Sequence, residues 1–189
     1  MTANAIMRLN FAQRVTTTGS IMFDGVDLLA VSDEAMRQHR GRDIAMIFQD
    51  PLSALNPFYT VGAQIGEAYL VHHPKASKAD VRTVVMDALH KVGIPEPTKR
   101  YDAYPHEFSG GMRQRIVIAM ALVNSPRLLI ADDVGLGKTI EAGYIIRELD
   151  AQGHIERCLI VAPAKLKTKW KRELESRFDE HFEIVKARD

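Results

Sequence analysis

The sequence has only one cysteine, no long apolar run and almost no net charge. Its one cysteine, Cys158, cannot form a disulfide within the chain, which favours a reducing compartment such as the cytoplasm. No run of about 18 apolar residues is present, so the sequence predicts no membrane-spanning helix. The formal net charge of the 189 residues is +1, which provides no general attraction to nucleic acid or to a membrane surface.

Hydrophobic residues make up 46% of the chain, enough for a soluble domain with a substantial core. Residues 19–29 predict a β-hairpin that turns at Asp24-Gly25, and residues 42–51 predict a strand that Pro51 ends. A helix is expected from about residue 61. A second helix starts after Ser77, where Asp80 completes a capping box, and ends near Gly93.

The second half of the chain alternates strands and helices. Residues 95–108 predict a proline-rich loop, and the apolar stretch 116–123 predicts a buried helix. Strands are then expected at 127–131, 157–161 and 182–185, with helices at 139–150 and 166–178. Alternating elements of this length predict an α/β fold of the P-loop NTPase type: a parallel sheet with helices on both faces, plus a helical insertion at about 61–110.

Residues 128–139, LLIADDVGLGKT, combine a strand that ends in a carboxylate with a phosphate-binding loop. Nucleotide-hydrolysing proteins usually have these two motifs on separate strands. The first half is an apolar strand that ends in a carboxylate, Asp132. The second half has the parts of a phosphate-binding loop in their usual order: Gly135, Gly137, Lys138 and Thr139. In such a loop backbone amides and the lysine bind phosphates, and the hydroxyl ligates Mg²⁺. Asp132 replaces the first glycine of the full pattern, so a helix-capping turn is the alternative interpretation.

Three stretches of the sequence share a further similarity: GRDIAMIFQDPLSALNPFYTVGAQIGEA, YPHEFSGGMRQRIVIAMAL and PRLLIAD. Residues 1–132, which contain them, resemble the ATP-binding subunit of bacterial oligopeptide and dipeptide ABC importers. The three stretches correspond to the Q-loop segment, the signature motif and the Walker B strand of that family. The resemblance divides the chain into a β and Q-loop segment (1–60), a helical subdomain with the signature motif (61–126) and a P-loop βαβ segment (127–189).

The resemblance implies particular roles for several residues. Gln49 takes the position that senses metal and water, and Asp132 takes that of the carboxylate on the Mg²⁺ side. Ser109-Gly110-Gly111, followed by Gln114 and Arg115, takes the place of the motif that clamps ATP held by the opposite subunit. The resemblance therefore implies ATP and Mg²⁺ as cofactors, a second ATP-binding subunit in a head-to-tail dimer, and a transmembrane permease. It also implies a cytoplasmic location, peripheral on the inner membrane through the permease.

Two departures from that family concern catalysis. The glycine-lysine loop that the family has before the stretch NAIMRL is missing. Where the family has a catalytic glutamate, this chain has Asp133, whose side chain is one methylene shorter and would hold a general base differently. The candidate catalytic residues are thus Asp132 and Asp133, and the candidate Mg²⁺ ligands are Thr139 and Asp132. At most a weak ATPase is expected.

Residues 130–189 show a second resemblance. ADDVGLGKTIEAGYIIREL and RCLIVAPAKLKTKWKREL are similar to motifs I and Ia of Swi/Snf-type helicase-like ATPases. This resemblance implies phosphate and Mg²⁺ roles for Lys138 and Thr139. The basic run 165–172 surrounds Trp170, and a solvated helix face with Trp170 in the core is favoured over a nucleic-acid site. We expect no DNA binding.

Three functions therefore remain open at the level of sequence. The chain is the ATP-binding part of a peptide ABC importer, a helicase-like DNA-associated ATPase fragment, or an inactive chimeric or truncated protein. The importer resemblance covers about two thirds of the chain and favours the first.

Overall fold

The computed structural model of the chain describes residues 2–9, 16–47, 54–131, 143, 146–147, 150, 160 and 166–184. It begins with helix α1 (Thr2–Ile6), followed by the short strands β1 (Met22–Phe23) and β2 (Val26–Asp27), helix α2 (Asp33–His39) and strand β3 (Ile44–Ile47). None of the helices among the described residues combines the length and the apolar composition that a membrane span requires.

Strands β1 and β2 form the predicted antiparallel hairpin, with Phe23 paired to Val26. Its turn residues, Asp24 and Gly25, have φ angles of 52° and 80°. Positive φ at both central positions is the geometry of the tight turns that match the twist of a hairpin, and Asp-Gly suits it because both residues tolerate that region. The Asp24 side chain also binds Arg127 at 2.5 Å and so ties the hairpin to the chain just before β4 (Leu128–Ala131).

Strands β3 and β4 pair in parallel, with Ile44 opposite Leu128 and Ile47 opposite Ala131. Both are short apolar segments, as expected for strands covered on their faces. They pack in a cluster whose buried members come from distant parts of the sequence: Met7, Leu28, Met36, Ile44, Met46 and Ile130. The parallel pairing confirms the expected α/β fold with a parallel sheet.

A helical region lies between β3 and β4 in the sequence. It contains α3 (Val61–Leu70), α4 (Lys78–Lys91), α5 (Pro97–Arg100) and α6 (Gly110–Leu122). Helices α3, α4 and α6 share one core centred on the fully buried Ile65, Leu89 and Ile116. Helix α3 closely approaches Tyr101, the residue that follows α5: a Cβ on Gly62 would lie 2.6 Å from the Tyr101 ring. The predicted helical insertion at 61–110 is confirmed, and it continues through α6.

Helix α4 begins and ends where the sequence predicts. The Ser77 hydroxyl accepts the Asp80 amide at 3.2 Å, and the Asp80 carboxylate accepts the Ser77 amide at 3.1 Å. Gly93, with φ of 68°, follows the end of the helix. A capping box satisfies two amides that a helix leaves without partners, and a glycine in the left-handed region ends the helix at little steric cost.

The loop expected at 95–108 is partly wrong. It contains helix α5 and a 3₁₀ turn, Pro105–Glu107. Both begin with a proline, whose fixed φ suits the first helical position and whose missing N–H costs nothing there. Two of the prolines in this stretch therefore start short helices.

The C-terminal part of the described chain is the amphipathic helix α7 (Lys167–Phe178). Trp170, Leu174 and Phe178 are buried on one face, as their spacing predicts. Gly143 lies against Phe178, since a Cβ there would be 2.3 Å from the ring. The strand expected at 182–185 is wrong in its described part, because residues 182–184 are irregular and Phe182 packs against the buried face of α7.

Two other expected elements lie mostly outside the described residues. These are the helix at 139–150, of which Gly143, Ile146, Arg147 and Asp150 are described and helical, and the strand at 157–161, of which only Ile160 is described.

The carboxylate of Asp43, just before β3, links stability to pH. Its hydrogen bond from Arg42 at 2.8 Å, together with one to His39 at 2.8 Å, holds the pKa of Asp43 below its usual value. A folded-state pKa below the unfolded value of about 3.9 gives stability that is present above that pH and lost as pH falls through the folded pKa. We therefore expect the free energy of unfolding to fall below pH 4, and to fall less in Asp43→Asn. Urea unfolding at pH 5 and pH 3 measures this, and equal losses in both proteins would contradict it.

Candidate functional site

The predicted site residues divide into two groups. The signature motif, Ser109-Gly110-Gly111, lies within the described residues. The others fall outside them: Gln49, Asp132, Asp133, Gly135, Gly137, Lys138 and Thr139. Strands β3 and β4 nevertheless end side by side, at Ile47 and Ala131. In the sequence, Gln49 comes two residues after the end of β3, and Asp132 comes directly after the end of β4.

Ser109 caps helix α6. Its backbone is extended, with φ of −63° and ψ of 162°, and its hydroxyl oxygen accepts the Met112 amide at 3.3 Å. Its carbonyl accepts the Arg113 amide at 2.9 Å. Because the hydroxyl oxygen serves as the acceptor in the cap, the hydroxyl proton remains available to an external oxygen.

Gly110 and Gly111 present the unused amides of this helix. Both residues are exposed, and neither amide donates to an acceptor in the part of the chain that the structure describes. A Cβ on Gly110 would meet nothing within 4 Å. Packing therefore does not require a glycine here, whereas close approach of an external group to the backbone would. Free amides and the helix dipole together favour an anion at this end of α6.

The motif is fixed in place by the residues on either side of it. Phe108 is buried immediately before the cap, under the guanidinium of Arg100 at 5.3 Å from the ring centre. Ile116 and Ala119, further along α6, are fully buried in the core of the helical region. The exposed amides thus belong to a helix whose position is set by packing rather than by a mobile loop.

Arg115 links α6 to the end of α4, a contact that pattern analysis did not predict. Its Nη1 donates to the carbonyls of Gly93 at 3.2 Å and Val92 at 3.4 Å. A cation beside the last carbonyls of a helix satisfies acceptors that have no partner within the helix and complements its dipole. The sequence signal was an arginine directly before an apolar stretch, which is too common to be specific.

Gln64 was also missed. It is the buried polar residue of the described chain, and its side chain binds three backbone groups of the preceding segment. Oε1 accepts the Asn56 amide at 2.8 Å, and Nε2 donates to the carbonyls of Asn56 and Tyr59, each at 2.9 Å. A polar side chain on the apolar face of α3, between Val61 and Ile65, was the available sign. Gln64 thus orders residues 56–59, in the second half of the Q-loop stretch.

The described residues contain no cluster of three or more histidine, cysteine or acidic side chains that could hold a metal ion. His72 lies in the turn after α3, and the exposed His73 follows that turn.

The comparison with protein families decides the affiliation of this chain. The family model described as ABC transporter matches residues 3–135, which includes the capped helix α6 and both strands of the parallel pair. The chain belongs to the ABC transporter family.

Curated relatives of this ABC transporter chain act in peptide transport by their names. The dipeptide transport ATP-binding protein DppD of Bacillus subtilis is 53% identical over 146 residues, which are 75% of this chain and 43% of that protein. The oligopeptide transport ATP-binding protein OppD of the same organism is 45% identical over 163 residues, covering 85% of this chain and 45% of that one. The chain thus spans less than half the length of these relatives.

Solved structures agree on the fold. The dimeric structure of MJ0796, a bacterial ABC transporter cassette, matches with a TM-score of 0.70 at 21% identity, covering 89% of this chain and 71% of that chain. A post-hydrolysis dimer of the same cassette, bound to ADP and Pi, gives 0.69 at 22% identity, covering 88% of this chain and 69% of that chain. At such identities the likeness concerns the fold, and it confirms the α/β class.

Proposed function

We propose that this ABC transporter chain is the ATP-binding part of a peptide importer. The observation that carries the proposal is the exposed, rigidly held end of α6, where Ser109, Gly110 and Gly111 offer a hydroxyl and two amides to an anion. The names of the relatives, dipeptide and oligopeptide transport ATP-binding proteins, support the substrate class.

The same end of α6 would contact ATP held by a second subunit. The free amides of α6 face away from the core of their own chain. They can therefore contact a triphosphate that another subunit holds. In a head-to-tail dimer, each α6 would donate hydrogen bonds to the phosphates of the ATP on the other subunit, with the helix dipole adding attraction. This dimer is part of the proposal.

The ATP held by this chain itself would use the loop after β4. Lys138 would neutralise the outer phosphates, with Gly135 and Gly137 letting backbone amides approach them. Thr139 and Asp132 would ligate Mg²⁺, and Gln49, which follows the neighbouring strand β3 in the sequence, would approach the metal or its water. Parallel strands end at one edge of a sheet, which supports this grouping.

Hydrolysis is proposed to be slow. Attack on the terminal phosphate needs a group that orients the water, and phosphoryl transfer depends mainly on such positioning. Asp133 is the candidate, but its carboxylate reaches one methylene less far than a glutamate. Asp132 would be required both in the loop and as the metal-side carboxylate.

A transmembrane permease is the proposed partner, which would hold the chain at the cytoplasmic face of the membrane. Phe58 and Tyr59 are 85% and 59% exposed, yet their segment is held by the hydrogen bonds of Gln64. Ordered, exposed aromatic side chains are typical of protein interfaces, because they bury large areas at little cost in conformational entropy. This pair supports a surface for contact with the permease, formed by the residues directly before α3.

The three sequence segments, 1–60, 61–126 and 127–189, remain our proposed division of the chain. For residues 130–189 we retain a helicase-like origin as the proposal for the phosphate loop, which makes the whole a chimera of two ATPase types. DNA binding does not follow from it. Trp170 is buried and so offers no ring for stacking, and Lys169 and Lys171 lie 3.8 Å and 3.4 Å from Glu173 and Glu175, whose charges oppose their attraction for phosphates. An inactive chimeric or truncated protein is the remaining alternative.

Titration with a fluorescent ATP analogue, with and without Mg²⁺, tests the proposal. We expect saturable binding that Mg²⁺ strengthens, and Lys138→Ala is expected to weaken it at least tenfold, or about 1.4 kcal/mol. The loss follows from removing the charge that faces the outer phosphates. Lys165→Ala, in the basic run, is the matched control and is expected to bind as the wild type does. Affinity in Lys138→Ala within a factor of about two of the wild type (under 0.5 kcal/mol) would place the nucleotide elsewhere.

A further inference from the structure

A cleft of about 340 Å³ lies at the far end of helix α6 from the signature motif. It is formed by the end of α3, the second half of α4 and the residues that follow α6. The 13 residues of α6 span about 20 Å, so this cleft is separate from the nucleotide-contacting end of the helix. Its polar lining is contributed by Tyr69, His73, Asp87, Lys91, Asn124 and Ser125.

One wall of the cleft is aromatic and its floor is aliphatic. The rings of Tyr69 and His73 stack with centroids 4.2 Å apart and planes 23° apart, which gives a flat surface. Val84, Ala88 and Leu122 line the cleft with aliphatic groups. Such a lining suits the apolar part of a small organic molecule, whereas a fully hydrated inorganic ion would gain nothing from it.

A pair of opposite charges stands beside this apolar lining. Lys91 Nζ lies 2.8 Å from Asp87 Oδ2, with the lysine side chain 18% exposed and the aspartate side chain 58% exposed. A ligand carrying both an ammonium and a carboxylate can replace this single pair by two pairs, one with each side chain. Each charge of the protein then keeps a partner. A ligand with only one charge would leave either Lys91 or Asp87 without a partner, which costs free energy.

Two features of the third wall resemble those found at binding sites. Asn124 Nδ2 donates to the carbonyls of Gly41 and Ala68, each at 3.0 Å, which fixes the amide orientation. Its Oδ1 is buried and has no hydrogen-bond partner among the described residues. Ser125 has φ of 52°, in the left-handed region that non-glycine residues rarely adopt. Strained backbone clusters at functional sites and ligand clamps, and a buried acceptor without a partner is an exception among native proteins that a bound group would account for.

We propose that this cleft binds a zwitterionic dipeptide or amino acid with an apolar side chain. The ligand carboxylate pairs with Lys91, its ammonium with Asp87, and its side chain packs on the Tyr69–His73 stack. The zwitterion class follows from the lining of the cleft. The preference for a dipeptide rests on the proposed function, because a peptide importer would deliver such molecules to the compartment that this surface faces.

Isothermal titration of the full chain with alanylphenylalanine, free phenylalanine and doubly blocked N-acetylphenylalaninamide tests the proposal. Both zwitterions are expected to bind saturably, the dipeptide more tightly, and the blocked compound not at all. Lys91→Met and Asp87→Asn are each expected to weaken binding at least tenfold, whereas Lys78→Met, at the exposed start of the same helix, leaves it unchanged. Circular dichroism checks that each variant is folded.

The site is overturned if neither zwitterion binds, if the blocked compound binds equally well, or if Lys91→Met and Asp87→Asn bind as the wild type does. Equal affinity for the dipeptide and the amino acid overturns only the preference for a dipeptide. The ATP analogue titration is run on the same preparations. Peptide binding without nucleotide binding rejects the proposed function and supports the cleft as a ligand site. Nucleotide binding without peptide binding supports the proposed function and rejects the cleft.

Discussion

The Gly110→Glu variant is expected to be as stable as the wild type and to lose ATP-dependent dimerisation by at least about 100-fold, or about 2.8 kcal/mol. A side chain at this position meets no atom within 4 Å of its Cβ, so folding is not opposed by a clash. A carboxylate in the first turn of a helix also interacts favourably with the helix dipole. The same carboxylate would occupy the space in front of the free amides and repel the phosphates of ATP on the other subunit.

Two further variants separate the causes of that loss. Gly110→Gln keeps the size of the side chain without its charge and is expected to lose less, and Gly110→Ala is expected to lose least. Sedimentation velocity with and without ATP and Mg²⁺ measures dimerisation, and urea unfolding measures stability. ATP-dependent dimerisation of Gly110→Glu equal to that of the wild type would show that this end of α6 does not meet nucleotide. A loss of stability would instead show that the glycine serves folding.

Leu89→Ala is expected to lower the free energy of unfolding by about 3 kcal/mol, the typical cost of removing a large aliphatic side chain from a well-packed core. Leu89 is fully buried in α4, in the cluster shared with Ile65 of α3 and Ile116 of α6. The cost combines the lost transfer free energy of the side chain with the cavity left behind. Since α6 carries the signature motif, we expect the motif to lose its fixed position in the same unfolding transition.

Leu70→Ala, at the end of α3, is the matched control. Leu70 is 37% exposed, and its truncation is expected to cost less than about 1 kcal/mol. Urea unfolding followed by circular dichroism measures both variants. A cost for Leu89→Ala no greater than that for Leu70→Ala would mean that α3, α4 and α6 do not share one cooperative core.

The local elements followed from the sequence because their causes are local. The hairpin turn needs only two neighbouring residues that accept positive φ, and Asp24-Gly25 supplies them. The start of α4 needs only Ser77 and the side chain three residues later. The buried face of α7 needs only an apolar residue every four positions, which Trp170, Leu174 and Phe178 provide. Ser109 as a helix cap belongs to the same class, so the described part of the candidate site was also predictable.

Tertiary structure decided what depends on residues far apart in the chain. No local pattern specifies that Ile47 lies opposite Ala131, because strand pairing is selected by the shared core and not by either strand alone. The hydrogen bonds of Gln64 and Arg115 depend on carbonyls whose positions are set only after the helices pack. The cleft beside Asp87 and Lys91 arises because three helix ends meet without filling the space between them. Sequence therefore fixes which groups are available, and packing decides which of them face one another.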